Sequence, residues 1–549
     1  MKFSRQYFAS RSRDRSFLIK TAAAIGGIGC IAGLAVSIFT VGTGLMPLVS
    51  FGDFIENPEN IGQKITLPET TRDFTTVEVA DQIRALSHGG LADFAFSEDG
   101  AKSVEATEAA DSVQLYAENL IQNSTKIPIE EQSLLRLLAK GLLGEKAESE
   151  QSLTMLEKRL ADSDSPPRFT REFAGDVLFK HRRFDESIKK FRSEGESFPD
   201  ATYSRRRTLE ILQQEEKFDE LTDLYRSETY AGVATLHTRM MLAAKFRHWG
   251  ELFKTVLEYD FLRFRPWAVS LALICAAIWF VILGQFGGLE RHQIAKYIPA
   301  LVCGMFSASA TLFVVVVQEQ IQGFVFDPEY SSPVQQAIYC IAGIGLREEF
   351  LKLLFFVPIA LALRKRHDDL TALICAGMVG LGFAMQENLG YFGDEPSFTP
   401  WSRFLTANFF HVALTGIVGL SLYRVIRLRG RGWENFLLDF IMMVVAHGMY
   451  DAVIMMPLLS SYSFLATIII YALLTYRFLD LADDLGGTNA AQAVSPLAVF
   501  VLGSALLISI VFVAACWGVP FQFAFATFLM SLAGMLPIAF IFINRFRNA

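Results

Sequence analysis

Long apolar stretches constrain this chain more than any other feature. The first extends from Phe17 to Phe51 and carries one charge, Lys20. Nine more follow, each close to the roughly 20 residues that a helix needs to cross a bilayer. Only 19% of the residues are charged, below the roughly 25% of soluble domains. The sequence therefore predicts an all-α protein with a polytopic helical membrane bundle. The nine later stretches are 266–287, 297–318, 334–363, 370–392, 403–424, 435–457, 462–479, 494–516 and 521–544.

Charge distribution divides the chain into three predicted domains. Residues 1–51 form a basic N-terminus and an uncleaved membrane anchor, 52–265 form a polar domain, and 266–549 form a nine-span membrane domain. Basic loops alternate with acidic ones, which is the positive-inside pattern. We therefore expect both termini in the cytoplasm and residues 52–265 outside it. The acidic loop "DLADDLGG" and the basic "RFRP" depart from the pattern.

The polar domain contains an internal repeat. Phe184-Asp185-Glu186 recurs as Phe218-Asp219-Glu220, and Phe191 recurs as Tyr225, both at an offset of 34 residues. This is the period of tetratricopeptide helix pairs. Residues 245–257 resemble a shortened third copy, and 139–156 a degenerate earlier one. The pattern predicts an extramembrane helical-repeat, tetratricopeptide-like domain whose groove takes a peptide or protein ligand. An unrelated helical bundle is the alternative.

Ionisable residues inside the later apolar stretches are the strongest functional signal. A charge near the bilayer centre costs roughly 2.5–3.5 kcal/mol on insertion scales, and such residues are usually functional. Helical rise places them in one layer of four consecutive spans, from the midplane to the outer third. Only two of the eight histidines lie in apolar stretches, and both belong to this set. The set comprises Arg347, Glu348, Glu349, Lys352, Glu387, His411, His447 and Asp451.

Spacing within the set suggests chemistry. Glu348 and Lys352 are four residues apart, on one helix face, whereas Glu349 points about 100° away and need not serve the same partner. His447 and Asp451 are also four apart, which suits a metal-binding pair or a histidine–carboxylate hydrogen bond. Desolvated carboxylates can activate water. Imidazoles can bind a metal or donate to an oxyanion. Hydrolysis fits this group best.

Four segments resemble the motifs of the PrsW family of intramembrane proteases, which belongs to the CAAX-protease and bacteriocin-processing superfamily. They are "REEFLK" (347–352), "GFAMQENLGYF" (382–392), "NFFHVALTGIVG" (408–419) and "HGMYD" (447–451), within a motif core at 334–457. The resemblance implies an intramembrane endopeptidase that cuts membrane-anchored protein substrates. It implies an integral, multi-pass protein of the bacterial inner (cytoplasmic) membrane.

The resemblance also assigns roles, carried over residue by residue. Glu348 and Glu349 are the implied catalytic pair, with Lys352 neutralising or orienting one of them. Glu387 and Asn388 are further catalytic candidates. The implied metal ligands or oxyanion donors are His411, His447 and Asp451. The family is described as metal-dependent, which implies a divalent cation, zinc first. Metal-independent glutamate chemistry is the alternative.

Two other functions remain possible interpretations of the same residues. Buried carboxylates and histidines also form the proton relays of transporters, although the sequence lacks the internal symmetry typical of them. A non-catalytic membrane scaffold that presents the repeat domain is a third reading. Arg347 is better explained as a structural partner than as a catalytic group, and Tyr391 fits either role. The net charge of −7 gives no signal for nucleic acid, so we expect no such partner.

Overall fold

The computed structural model describes residues 5–43, 74–88, 114–115, 117–262, 265–326, 331–365, 368–393, 398–486, 494–518 and 521–547. These residues form helices joined by short connections, and no strand occurs among them. The predicted all-α fold is confirmed. The chain forms two compact units, one of residues 37–242 and the other of residues 1–36 with 243–549. Parts of the predicted anchor and repeat domain, residues 44–73 and 89–113, lie outside the described ranges.

The N-terminal half of the chain contains twelve principal helices in the described ranges. They are α1 (Arg5–Arg11), α2 (Arg15–Thr43), α3 (Thr76–His88), α4 (Ile129–Leu143), α5 (Lys146–Ala161), α6 (Thr170–Lys180), α7 (Phe184–Ser197), α8 (Thr202–Gln214), α9 (Phe218–Tyr225), α10 (Glu228–Ala231), α11 (Leu236–Lys245) and α12 (Trp249–Leu257).

Three helix pairs, α6–α7, α8–α9 and α11–α12, share one type of connection. In each, a non-glycine residue adopts a left-handed conformation two residues before the second helix: Arg182 at φ 57°, Glu216 at 54° and Arg247 at 57°. The first two lie 34 residues apart, as the sequence repeat does. Phe191 of α7 is fully buried, and its ring contacts the position where Gly175 of α6 lacks a side chain. The tetratricopeptide identity of these pairs stays a prediction.

The second half of the chain contains the membrane helices. They are α13 (Pro266–Gly287), α14 (Arg291–Val317), α15 (Pro333–Ile338), α16 (Leu346–Leu363), α17 (Asp369–Tyr391), α18 (Thr399–Leu405), α19 (Ala407–Arg427), α20 (Trp433–Met455), α21 (Ser463–Asp484), α22 (Pro496–Gly518) and α23 (Phe521–Phe546). A π-helical turn, Tyr339–Gly345, joins α15 to α16 without a break.

Nine helical segments in the described ranges are long and apolar enough to cross a membrane. This confirms a multi-pass integral membrane protein. The sequence predicted ten apolar stretches, and the one that remains, 334–363, is also helical. It is not among the nine, because its segment α16 carries the four charges of "REEFLK".

Helix α17 lies at the centre of the membrane unit. Every residue from Thr371 to Gln386 is buried, and the helix packs against α13, α14 and α19. A Cβ on Gly380 would lie 2.1 Å from the backbone oxygen of His411. Glycine at this position therefore allows α19 to approach α17 closely, with His411 at the crossing.

Two boundaries differ from those predicted. The stretch 403–424 is broken at Thr406 (φ −99°, ψ −88°) into the short helix α18 and the long helix α19. Helix α12, within the predicted repeat domain, groups with the membrane unit. It packs against α14, with the rings of Trp249 and Phe313 6.4 Å apart.

Candidate active site

Close backbone packing brings α20 against the turn that precedes the two glutamates. A Cβ on Gly448 would lie 2.4 Å from Cα of Ile341, and one on Gly345 would lie 2.6 Å from the backbone oxygen of Val444. The π-helical turn Tyr339–Gly345 contributes one side of this contact, and such turns are frequent at functional sites. His447 is therefore held next to the start of α16.

Lys352 lies at the middle of the site and is fully buried. Its Nζ donates to Oε1 of Glu349 at 2.8 Å and to Oε2 of Glu348 at 3.3 Å. It also lies 2.8 Å from Nδ1 of His411 and 3.9 Å from the centre of the Phe383 ring. A lysine ammonium has only donors, so Nδ1 of His411 accepts and its Nε2 carries the hydrogen.

Glu349 is fully buried, and both of its oxygens have donors. Oε1 accepts from Lys352 and lies 2.8 Å from Nδ1 of His447, and Oε2 accepts from the hydroxyl of Thr415 at 3.3 Å. Helical spacing indicated that the two glutamates need not serve the same partner. Both nevertheless accept from Lys352, because the long lysine side chain reaches the carboxylates three and four residues before it.

Nδ1 of His447 is hydrogen-bonded, whereas its Nε2 faces the site. Its Nδ1–H donates to Glu349, which leaves the lone pair of Nε2 available. Nε2 lies 3.6 Å from Oε2 of Glu348 and 3.6 Å from Oδ2 of Asp451. These separations are too long for hydrogen bonds. Oδ2 of Asp451 is buried and has no hydrogen-bond partner among the described residues.

A second group of side chains supports His411 from the other side. Nε2–H of His411 donates to Oε2 of Glu387 at 3.1 Å. Arg403 donates to Oε2 of Glu387 at 2.7 Å and to Oδ1 of Asn388 at 2.6 Å. Asn388 in turn donates to Oδ1 of Asn408 at 2.7 Å. The sequence-predicted residues of all four motifs therefore meet in one cluster.

Comparison with known families agrees with this geometry. Residues 294–476 match the model of the PrsW family of intramembrane metalloproteases. The match covers about a third of the chain, and this segment is similar to the PrsW family. The resemblance inferred from the four motifs is confirmed, and the matched segment contains all eight predicted site residues. No curated protein and no solved structure matches the chain significantly.

The candidate site fits a divalent cation by its donor set. One ligand atom each from Glu348, His411 and His447 lies within 4.8 Å of the others, and all three residues are buried. Histidine ligands usually donate their second N–H to a carboxylate, as His447 does to Glu349 and His411 does to Glu387. Nδ1 of His411 accepts from Lys352, so a cation bound by His411 would replace that contact. Two ligands of one tetrahedral zinc ion lie about 3.4 Å apart, close to the 3.6 Å between His447 and Glu348.

Three residues of the candidate site were not singled out from the sequence. Asn408 and Thr415 lie three residues before and four after His411, on the same helix face, so helical spacing could have revealed them. The sequence placed Arg403 at the first residue of the predicted stretch 403–424. It reaches Glu387 because the chain breaks at Thr406, and no sequence signal predicts that break.

Proposed function

We propose that the PrsW segment hydrolyses peptide bonds of membrane-anchored proteins inside the bilayer. The observation that carries this proposal is the convergence of Glu348, His411 and His447 at buried positions on three different helices. Charged groups at this depth are expensive unless they face one another or a polar cavity. A catalytic centre explains why the chain keeps them.

Glu348, His411 and His447 would hold the divalent cation, with zinc as the first candidate. When bound, the cation would supply a Lewis acid that polarises the scissile carbonyl and lowers the pKa of water. In this arrangement Glu348 is a ligand, whereas the sequence alone placed it in the catalytic pair.

Asp451 is the carboxylate best placed to move the proton. Its Oδ2 has no hydrogen-bond donor among the described residues and lies 3.6 Å from His447. Asp451 takes a proton from the water that attacks the carbonyl carbon, and the carbonyl oxygen becomes an oxyanion. As the C–N bond breaks, Asp451 returns the proton to the leaving nitrogen. General catalysis of this kind typically contributes 10²–10⁴-fold in rate.

The remaining site residues orient these groups or balance their charge. Glu349 has no free oxygen and orients His447. Glu387 orients His411. Lys352 offsets the two neighbouring carboxylates, and Arg403 offsets Glu387.

The metal-independent alternative also has support in the structure. The Lys352 ammonium contacts Glu348, Glu349 and His411, so a positive charge is already present in the cluster. In that mechanism Glu348 accepts the proton from water. The two mechanisms differ in what Glu348 does, which makes it the residue to change.

The test uses the full chain reconstituted with a pool of purified single-span membrane proteins, with cleavage products read by mass spectrometry. Bound metal is measured in the same samples. We expect Glu348→Gln to lose both metal and cleavage, and Asp451→Asn to keep the metal but to lose cleavage at least about 100-fold. Glu434→Gln, at an exposed glutamate of α20, is the matched control and should match the wild type.

Two outcomes would contradict the scheme at different levels. Wild-type cleavage by Glu348→Gln would end the catalytic proposal. Full cleavage by a wild type stripped of metal would overturn the metal mechanism and favour the glutamate mechanism, with the protease assignment intact.

The polar domain and the topology complete the proposal. We propose that residues 52–265 lie outside the cytoplasm and recruit a peptide or protein segment of the substrate, with both termini in the cytoplasm of a bacterial inner membrane. The alternation of basic and acidic loops supports this orientation. Labelling of a cysteine placed at Lys365 by a membrane-impermeant maleimide added from outside intact cells would contradict it.

A further inference from the structure

A cavity lies at the far end of the two helices that carry the site histidines. It has a volume of about 340 Å³ and lies between the C-terminal end of α19, the N-terminal end of α20 and α21. Arg424 lines it and is 13 residues after His411 on α19, which corresponds to about 20 Å along the helix. The cavity is therefore separate from the candidate active site.

Two exposed arginine side chains in this cavity have no counter-ion among the described residues. Arg431 and Arg477 line the cavity, and their side chains form no hydrogen bond or ion pair within the described part of the chain. Arg424, which also lines the cavity, is paired with Asp369 at 2.8 Å. Asp439 is the carboxylate of the cavity and accepts from the hydroxyl of Ser421.

The charges leave a positive surplus suited to one small anion. Arg424 shares Asp369 with Arg427, so Asp369 offsets only one of these two arginines. With Arg431, Arg477 and Asp439 included, the cavity and this pair carry two surplus positive charges. Arginine binds phosphate oxygens through its planar fork of donors. Asp439 disfavours an anion that is negative on every side, and favours one with a hydroxyl group to donate to it.

The start of α20 adds backbone donors to the same cavity. Its N-cap is Gly432, at φ 81° and without a side-chain cap, and Gly432 and Asn435 line the cavity. The first N–H groups of a helix lack intrahelical acceptors and favour an anion. Backbone and side-chain donors therefore point to the same ligand chemistry.

The surroundings indicate where the anion comes from. Leu438 lines the cavity and is 59% exposed, and Trp433, which follows the cavity-lining Gly432 in the chain, is 56% exposed. Exposed apolar side chains next to basic residues at the end of membrane helices are typical of the lipid headgroup region, where tryptophan is enriched. Basic pockets between membrane helices bind acidic headgroups. Binding of a soluble anion would not require these exposed apolar side chains.

We infer that this cavity binds the headgroup of an acidic phospholipid of the phosphatidylglycerol class. Arg431 and Arg477 contact the phosphodiester, Asp439 accepts from a glycerol hydroxyl, and the acyl chains lie along Leu438. The bound lipid joins α19, α20 and α21, and so stabilises the two helices that carry His411 and His447.

The experiment measures thermal unfolding of the delipidated full chain in a non-ionic detergent. Palmitoyl-oleoyl-phosphatidylglycerol is titrated as mixed micelles, and the matched additives are dioleoylglycerol, which lacks the phosphate, and inorganic phosphate. We expect phosphatidylglycerol alone to raise the melting temperature saturably. The double variant Arg431→Gln, Arg477→Gln should weaken binding about 30-fold, since each arginine near an acidic headgroup contributes about fivefold.

The controls separate this site from general surface charge. Arg364→Gln with Lys365→Gln removes two exposed charges at the same end of the bundle and should leave binding unchanged. Arg431→Lys with Arg477→Lys keeps the charge and should keep most of the affinity. Equal binding by the double Gln variant and the wild type would overturn the site. Equal protection by dioleoylglycerol or by inorganic phosphate would overturn the phospholipid assignment.

Discussion

Glu348 and Glu349 are adjacent in the chain, yet their surroundings differ. Every oxygen of Glu349 has a donor, whereas Glu348 accepts one long hydrogen bond among the described residues, from Lys352 at 3.3 Å. Intramembrane charge and helical spacing predicted which residues would gather. They could not predict how the roles divide, because that depends on side-chain contacts between helices that are far apart in sequence.

Arg403 offers a test of positioning at the residue scale. It holds Glu387, which holds His411, so Arg403→Gln should leave His411 less well oriented. We expect kcat and metal affinity to fall about 10–100-fold, as for other residues that orient metal ligands, with little change in KM. Arg403→Lys should restore part of the loss.

Arg429→Gln is the matched control, because Arg429 is exposed and lies outside the site. Metal affinity and steady-state kinetics are measured together with the melting temperature. A lower melting temperature with unchanged metal affinity and kcat would show that Arg403 is only structural.

At the scale of helices, the apolar stretches predicted where the spans lie, but not their irregularities. The π-helical turn Tyr339–Gly345 and the break at Thr406 were missed. Both depend on how neighbouring helices pack, and neither segment contains a proline where it becomes irregular. These two features bring the "REEFLK" segment against α20 and Arg403 against Glu387.

Gly448 tests the packing of α20. A Cβ there would lie 2.4 Å from Cα of Ile341 and 2.8 Å from the backbone oxygen of Cys340. Backbone atoms cannot move aside as a flexible side chain can, so Gly448→Ala should displace α20 and lengthen the contact between His447 and Glu349. Overpacking typically destabilises by about 1–3 kcal/mol, and a shift of about 1 Å can reduce a rate 100-fold.

Gly390→Ala is the matched change on α17, since nothing lies within 4 Å of the added Cβ. We expect it to be neutral or to stabilise by up to about 1 kcal/mol, because alanine favours helix. Thermal unfolding and the cleavage assay compare the two variants. Equal stability and equal activity would contradict the inferred close packing.

At the scale of the whole molecule, the sequence separated a polar region from a membrane region, and the structure has two compact units. The C-terminal limit differs: the smaller unit ends at Leu242, whereas 265 was predicted. Polarity alone placed α12 in the polar domain, but its apolar residues pack against α14. Composition records how polar a segment is, not which neighbour its apolar face contacts.

Buried charges hold the smaller unit together. The side chain of Arg84 on α3 is 8% exposed and pairs with Glu172 at 2.8 Å and Asp176 at 2.9 Å on α6. Its guanidinium lies 3.6 Å from the ring centre of Tyr203 on α8, and the Tyr203 hydroxyl donates to Asp176 at 2.8 Å. This network ties three helices that are distant in sequence.

Arg84→Met should therefore loosen the smaller unit, because it leaves the buried carboxylate of Asp176 without a cation and leaves Glu172 paired with Arg168 alone. Breaking a buried pair in this way costs about 3–5 kcal/mol. Burial already raises the pKa of Asp176, and the charge of Arg84 opposes that rise. Without Arg84 the folded-state pKa rises further, so the loss of stability is largest at neutral pH and shrinks as acid protonates Asp176.

Hydrogen exchange of the α6 and α8 amides in the full chain, at pH values from about 5 to 8, measures this effect after correction for intrinsic exchange rates. Arg183→Met is the control: Arg183 pairs with Glu186 on the surface with its side chain 42% exposed, where an ion pair contributes about 0–1 kcal/mol. Bound metal should stay unchanged in both variants, because the proposed metal ligands lie in the other unit. Equal protection in the two variants, or a loss in Arg84→Met that grows towards low pH, would contradict the role given to Arg84.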